Sequence, residues 1–233
     1  MLSDMIGVQE AASELRVGAS RVRELLAQGA LPGEKLGGRW LLRRADVLAR
    51  RRKPVPPGRP LSTGNAWLLL LEASGERPPG PVDAVARWRM RRALVYPGLA
   101  AMRPRLQHRA QAHHLWALPA ELRALRDARD MVLTGSSATG GLGLELVAPD
   151  ALDAYVPAQR LRALVAEHAL QEVDAAQANV TLRAVPREAW LLDGRELAPA
   201  AAVALDLAGY PDSRSARVGE GLLRQLDREG RRR

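Results

Sequence analysis

The chain has 233 residues, 47% hydrophobic side chains and a net charge of +9, with no Cys and no Phe. That length supports one large or two ordinary domains with sizeable cores, built from Leu, Val and Ala because aromatics make up only 3%. The missing cysteine excludes disulfides, thiolate zinc sites and Cys nucleophiles, and the longest apolar run, AWLLLL, is far too short to cross a bilayer. The start MLSDMIGVQEAA has neither a basic n-region nor a continuous apolar stretch, so a cytoplasmic protein is expected. The charge is uneven: residues 1–130 carry 23 Lys plus Arg against 12 Asp plus Glu, giving +11, and residues 131–233 carry 12 against 14, giving −2. An anionic partner is therefore met by the first half.

In chain order, Val8, Ala11, Ala12 and Leu15 follow i, i+3, i+4, i+7. After a break at Arg16-Val17-Gly18, Val22, Leu25 and Leu26 repeat the spacing, which predicts helix, tight turn, helix. Gly18 can serve as the second helix's N-cap and Gly29 as its C-terminal left-handed residue. Around that helix Ser20, Arg21, Arg23, Glu24 and Gln28 lie off the apolar stripe, forming a small polar and basic face of the kind that reads base edges. Gly37-Gly38 between two short runs is a two-residue hairpin signal, since primed turns need positive φ. The stretch from Ala45 to Arg52 has no breaker before Pro54, so the hairpin runs into a short helix.

Residues 6 to 52 resemble the winged helix-turn-helix of the MerR and phage-excisionase group. VQEAA, LRV, SRVRELL, GALP, GGRW and RRAD occur here in that family's order and spacing. One departure is Gly18-Ala19, where the family often has a Ser or Thr cap. The resemblance implies that the second helix enters the major groove and that the hairpin is a wing. On that wing Lys35 and Arg39 would lie on the adjacent backbone or minor groove, with Arg43 and Arg44 flanking phosphate. Trp40 and Leu42 would be its core-facing side.

Residues 53–65, KPVPPGRPLSTGN, hold four prolines and no periodicity, the mark of a semi-rigid linker. AWLLLLEASGE then reads as a buried helix capped near Ser62 or Thr63. VDAVARWRMRRALVY reads as an amphipathic helix with Val82, Val85, Trp88, Leu94 and Val95 inward and Arg87, Arg89, Arg91 and Arg92 outward. From residue 111, AHHLWAL, DMVLTG, ALDAYV, NVTLRAV and AWLL read as strands. PAELRALRDA, AQRLRALVAEHAL, APAAAVALDLA and DSRSARVGEGLLRQLDR read as helices, and the tail REGRRR as a frayed basic end. The expected class is α+β: a winged helix-turn-helix at 1–53, a linker at 54–65, an Arg-rich helical segment at 66–110 and a mixed α/β domain with a helix-covered sheet at 111–233.

One segment could hold an enzyme. Gly135-Ser136, followed by an Asp on a strand, resembles the nucleotidyltransferase signature, in which two carboxylates at i and i+2 hold Mg²⁺. Here Tyr155 occupies the second position, so Asp153-Ala154-Tyr155 offers one ligand where two are needed. TGGLG lacks the Lys and spacing of a phosphate loop. His113 and His114 are adjacent and on a strand point to opposite faces, so they cannot share a metal. No catalytic residue, metal site or cofactor is assigned.

The C-terminal half carries a second resemblance. VLTGSSATGGLGL, DAYVPAQRLRALVAEHAL, ANVTLRAVP and APAAAVALDLAGYPDSRSARVGEGLLRQL are similar to the C-terminal domain of antitoxins of type IV, abortive-infection toxin-antitoxin systems. That resemblance implies a repressor of its own operon, encoded beside a nucleotidyltransferase-like toxin. The N-terminal domain departs from it, being of MerR or excisionase type. Double-stranded DNA is thus the expected partner, with a cognate toxin protein and a second copy of the chain as further candidates and no membrane. The expected function is transcriptional regulation of antitoxin type, the alternative an excisionase-like or architectural accessory protein. A DNA-targeted nucleotidyltransferase-like enzyme is the third reading. The DNA-contacting residues are Ser20, Arg21, Arg23, Gln28, Lys35, Arg39, Arg43 and Arg44.

Overall fold

A computed structural model describes residues 5–15, 17–27, 31–52, 59–128, 131–144, 146 and 150–232, with the side chains of 49, 51 and 52 not described. Gln28, Gly29 and most of the proline-rich segment therefore lie outside the described residues. The chain divides into two compact units, Met1–Val55 and Pro56–Arg233.

The first unit runs β1 (Met5–Gly7), α1 (Val8–Leu15), α2 (Ala19–Ala27), β2 (Glu34–Leu36), β3 (Arg39–Arg43) and α3 (Arg44–Arg52). Gly37 and Gly38 turn the hairpin with φ of 56° and 81°, positive at both central residues as a type I′ turn requires. Sequence reading did not foresee β1. It pairs antiparallel with the far edge of β3, Ile6 opposite Leu42, and completes a three-stranded sheet of order β1-β3-β2. A lone hairpin is marginal in water, and this third strand ties the wing to the helices. Ile6, Ala11, Ala12, Val22, Leu25, Leu26, Leu31, Leu42 and Val47 form the core, with half-buried Trp40 packed against it.

The second unit begins with α4 (Thr63–Ala73), capped by Ser62 and buried on nearly every side, and α5 (Ala84–Val95), capped by Asp83. There follow α6 (Leu99–Met102), β4 (Gln111–Trp116), α7 (Pro119–Arg126), β5 (Val132–Leu133) and β6 (Leu152–Pro157). The chain ends with α8 (Ala158–Glu167), β7 (Gln171–Glu172), β8 (Val180–Val185), α9 (Ala200–Leu207) and α10 (Ser213–Gly230). The strands form one sheet of order β5-β6-β8-β4-β7, in which β6 and β8 are parallel and the other pairs antiparallel.

Helices cover both faces. Leu115, Leu152, Ala154, Val156, Val180 and Leu182 meet Leu122, Leu125 and Leu164 of α7 and α8 on one side. On the other, Tyr155 and Val185 join a core built from α4, α9 and α10. The architecture is α+β, and no helix among the described residues is long and apolar enough to cross a membrane.

Four expectations are corrected. The Arg-rich segment at 66–110 is not separate from 111–233, because α4 is apolar on nearly every side from Ala66 to Leu71 and needs Tyr155, α9 and α10 to cover it. AWLL is no strand: Arg187–Ala189 form a 3-10 turn, and Ala189 and Leu192 reach the core from irregular chain. The tail does not fray at residue 228, since α10 continues to Gly230 and Gln225 donates to Glu229 at 3.0 Å. On α5 the inward residues are Met90 and Leu94, while Val85, Trp88 and Val95 are exposed.

Candidate nucleic-acid interface and a buried polar network

The Gly18 carbonyl accepts the amides of Arg21 and Val22 at 3.0 and 3.3 Å, so α2 starts where its apolar pattern says it should. Val22, Leu25 and Leu26 are buried, and Ser20, Arg21, Arg23, Glu24 and Ala27 are exposed. At about 100° per residue, Ser20, Glu24 and Ala27 stand opposite the buried stripe, with Arg21 on one flank and Arg23 on the other. Arg21 Nη1 donates to Glu24 Oε2 at 2.8 Å. Glu24, which the sequence places on this face but not among the DNA-contacting residues, is thus central to it. A carboxylate there can accept from a cytosine amino group while its neighbour Arg addresses guanine.

The strand register sorts the wing. Lys35 lies opposite Trp40 and Leu36 opposite Arg39. Directly paired residues share a face, so Lys35 is on the side of Trp40 and Leu42, whereas Arg39 shares the other side with Leu36 and Arg43. Lys35 and Arg39 therefore stand on opposite faces of the wing. Leu36 is 67% exposed beside Arg39, giving the wing tip an apolar element. The expectation for Arg44 is corrected: its Nε donates to Glu14 at 2.6 Å and its Nη2 to Glu10 at 3.0 Å, fastening α3 to α1 rather than standing ready for phosphate. Arg21, Arg23, Arg39 and Arg43 remain the exposed arginines of the two candidate reading elements.

The second unit holds a charged network under its sheet. Buried Asp206 on α9 accepts from Thr134 Oγ1 at 2.6 Å and from the Tyr155 hydroxyl at 2.8 Å, and it is paired with Arg109. Arg183 grips Asp153 with both Nε and Nη2, at 2.9 and 2.8 Å, and Tyr210 donates to the same carboxylate at 2.7 Å. Burial works to raise the Asp206 carboxyl, but Arg183 and Arg109 outweigh it and hold it below the ordinary range. For Asp153 burial wins over Arg183, and its carboxyl sits above the ordinary value. Burial likewise pushes the Tyr155 and Tyr210 hydroxyls up. Gly135, with φ of 51°, packs where a Cβ would strike Tyr210 and Asp153.

The Gly-Ser turn and the Asp strand do meet in space, since Asp153 N donates to Ser137 Oγ at 2.9 Å. Yet the place of a second metal carboxylate belongs to Tyr155, and both Asp153 oxygens already have partners. Among the described residues no group of three or more His, Asp or Glu is placed to hold a metal. A cleft of about 950 Å³ opens beside the network, bounded by Arg109, His114, Ser136, Thr181, Arg183 and Tyr210.

A helix-turn-helix with a wing, a polar outward face on its second helix and exposed arginines on both defines a DNA-binding domain. Comparison agrees: residues 5–53 match the family described as a helix-turn-helix domain. No curated protein and no solved structure matches the chain.

Proposed function

We propose that the chain is a sequence-specific transcriptional regulator that reads its operator with α2 and holds the backbone with the wing. The observation that carries this is the exposed Ser20, Arg21, Arg23 and Glu24 face standing opposite the buried Val22, Leu25 and Leu26. The resemblance of the C-terminal half to type IV antitoxins makes autorepression beside a nucleotidyltransferase-like toxin the particular form of this reading. The second unit is then a non-catalytic interaction domain, in keeping with the engagement of Asp153 by Arg183 and Tyr210. An excisionase-like accessory role is the second reading, favoured by the resemblance of the winged domain alone.

Selection of bound duplexes from a random pool tests the first claim. One short motif should be enriched, with a palindrome indicating a dimer, and Arg21→Ala with Arg23→Ala should abolish the enrichment. A pool that stays random through several rounds would reduce the domain to a backbone binder. Mg²⁺-dependent transfer of a labelled nucleotide by the full chain, lost in Asp153→Ala, would overturn the non-catalytic assignment.

A further inference from the structure

Among the described residues seven large hydrophobic side chains are exposed, and Val85, Trp88, Val95 and Tyr96, four of the seven, lie on α5 or directly after it. Trp88 is 57% exposed and Tyr96 83%. With Met90 and Leu94 turned to the core, Val85, Trp88, Arg89, Arg92 and Val95 share the outward face of the helix. A patch of this kind on a folded domain marks an interaction surface.

Its charge says what it meets. The helix carries Arg87, Arg89, Arg91 and Arg92 and no acidic residue. Arg87 and Arg91 both pair with the single carboxylate of Glu72, at 2.7 and 2.9 Å, which leaves the cluster strongly cationic. Arg89 makes no ion pair among the described residues, and the Arg92 guanidinium stacks 5.3 Å over the Trp88 ring. Beside them a groove of about 600 Å³ is lined by Arg77, Trp88, Arg92 and Val95, and by Glu72 and Glu76, whose carboxylates are paired with arginines. Four arginines against the one carboxylate of Glu72 make the patch a seat for a polyanion such as a phosphate backbone. Guanidinium groups beside an exposed aromatic are the combination that holds phosphates and the flat or apolar parts of a nucleotide.

We propose that the outward face of α5 is a second nucleic-acid contact, with Arg89 and Arg92 on phosphates and Trp88 against the intervening sugars of duplex DNA flanking the helix-turn-helix site. The inference rests on the DNA-binding reading of the first unit, and its test separates the two. The 233-residue chain and the variants Arg89→Ala/Arg92→Ala, Trp88→Ala and Arg39→Ala are titrated on a duplex of about four helical turns at several salt concentrations. The substituted α5 side chains are exposed, so thermal unfolding should match the wild type. The double variant should lower the magnitude of the slope of log K against log salt by about two, at about 0.9 per phosphate contact. Trp88→Ala should weaken binding several-fold with little change in slope. If the double variant and Trp88→Ala both bind like the wild type while Arg39→Ala still flattens the slope, the α5 contact is overturned and the helix-turn-helix reading stands. That is also the result an acidic protein partner for this face would give. If the wild type binds no duplex, both readings fall.

Discussion

Arg39 and Arg44 lie close together in one basic stretch, yet their surroundings assign them opposite roles. Arg44 is held by Glu10 and Glu14, and although half-exposed pairs are worth no more than about 1 kcal/mol each, they are internal to the fold. Arg44→Ala should therefore lower the stability of the first unit by about 1 kcal/mol in denaturant titration and leave the salt dependence of DNA binding as it was. Arg39 stands exposed on the wing next to Leu36, so Arg39→Ala should leave stability alone and reduce the salt slope by about one. Finding the two effects exchanged would reverse the assignment. Glu24 makes a sharper case, because a carboxylate on the outward face of α2 would repel phosphate, and it either recognises a base or serves to hold Arg21. Glu24→Ala should bind scrambled duplex more tightly than the wild type. At one C·G pair of the operator it should lose about 1–3 kcal/mol of discrimination. Equal losses on operator and scrambled DNA would show that Glu24 only steadies Arg21.

At the scale of elements, the wing and the α9–α10 crossing depend on single residues of opposite size. Trp40 is half-buried against the first core, so Trp40→Ala should cost about 2 kcal/mol, roughly half the 3–5 of a fully buried Trp. Gly219 of α10 faces α9 so closely that a Cβ would strike the backbone of Ala204 and Ala208. Gly219→Ala should open that crossing at a cost of about 1–3 kcal/mol, and unchanged chemical unfolding would show that the helices can part freely. The hairpin, α1 and α2 were legible in the sequence because their signals are local: two glycines for positive φ, and apolar residues three and four apart. The strand β1 was not, since a three-residue segment has no period and acquires meaning only through Leu42 across the sheet. The inward face of α5 was misread because Val85 and Trp88 fit a helical stripe as well as Met90 and Leu94 do, and only α4 and α10 decide between them. Within the candidate site, the exposed face of α2 could be read and the opposition of Lys35 and Arg39 could not, because register is set by the partner strand. The charged network was hidden for the same reason. Asp153 and Tyr155 share β6, but Arg109, Thr134, Arg183 and Asp206 come from four other parts of the chain, and Asp206 by itself reads as one polar residue in an apolar helix.

Over the whole molecule charge is segregated. The exposed arginines of the first unit and of α5 face outward, while the network of the second unit is buried and balances two arginines against two aspartates. A buried cluster of this kind is weak evidence for stability in itself, but removing one member leaves the others uncompensated at a cost of about 3–5 kcal/mol. Its two carboxylates should also give the second unit an unusual acid profile. Asp153 has a folded pKa above its unfolded value, so its contribution favours folding at low pH and is lost as pH rises through that raised value. Asp206 is depressed, so its contribution is present above the ordinary carboxylate value of about 4 and is lost as pH falls through its lowered value. On acidification from neutrality the Asp153 term should therefore strengthen the fold first, and below about pH 4 the Asp206 term should weaken it. Urea unfolding of the wild type and Asp153→Asn across that range isolates the first limb, because the amide cannot take up the proton. The stability difference between the two proteins should change with pH above about 4, by at most ~1.4 kcal/mol per pH unit, and level off below it. Asp206→Asn should be destabilised at neutral pH and lose its excess sensitivity in strong acid. A difference between wild type and Asp153→Asn that stays constant above about pH 4 and shifts against the wild type below it would mean that Arg183 holds Asp153 ionised in the folded state, and the order of protonation in the network would be overturned.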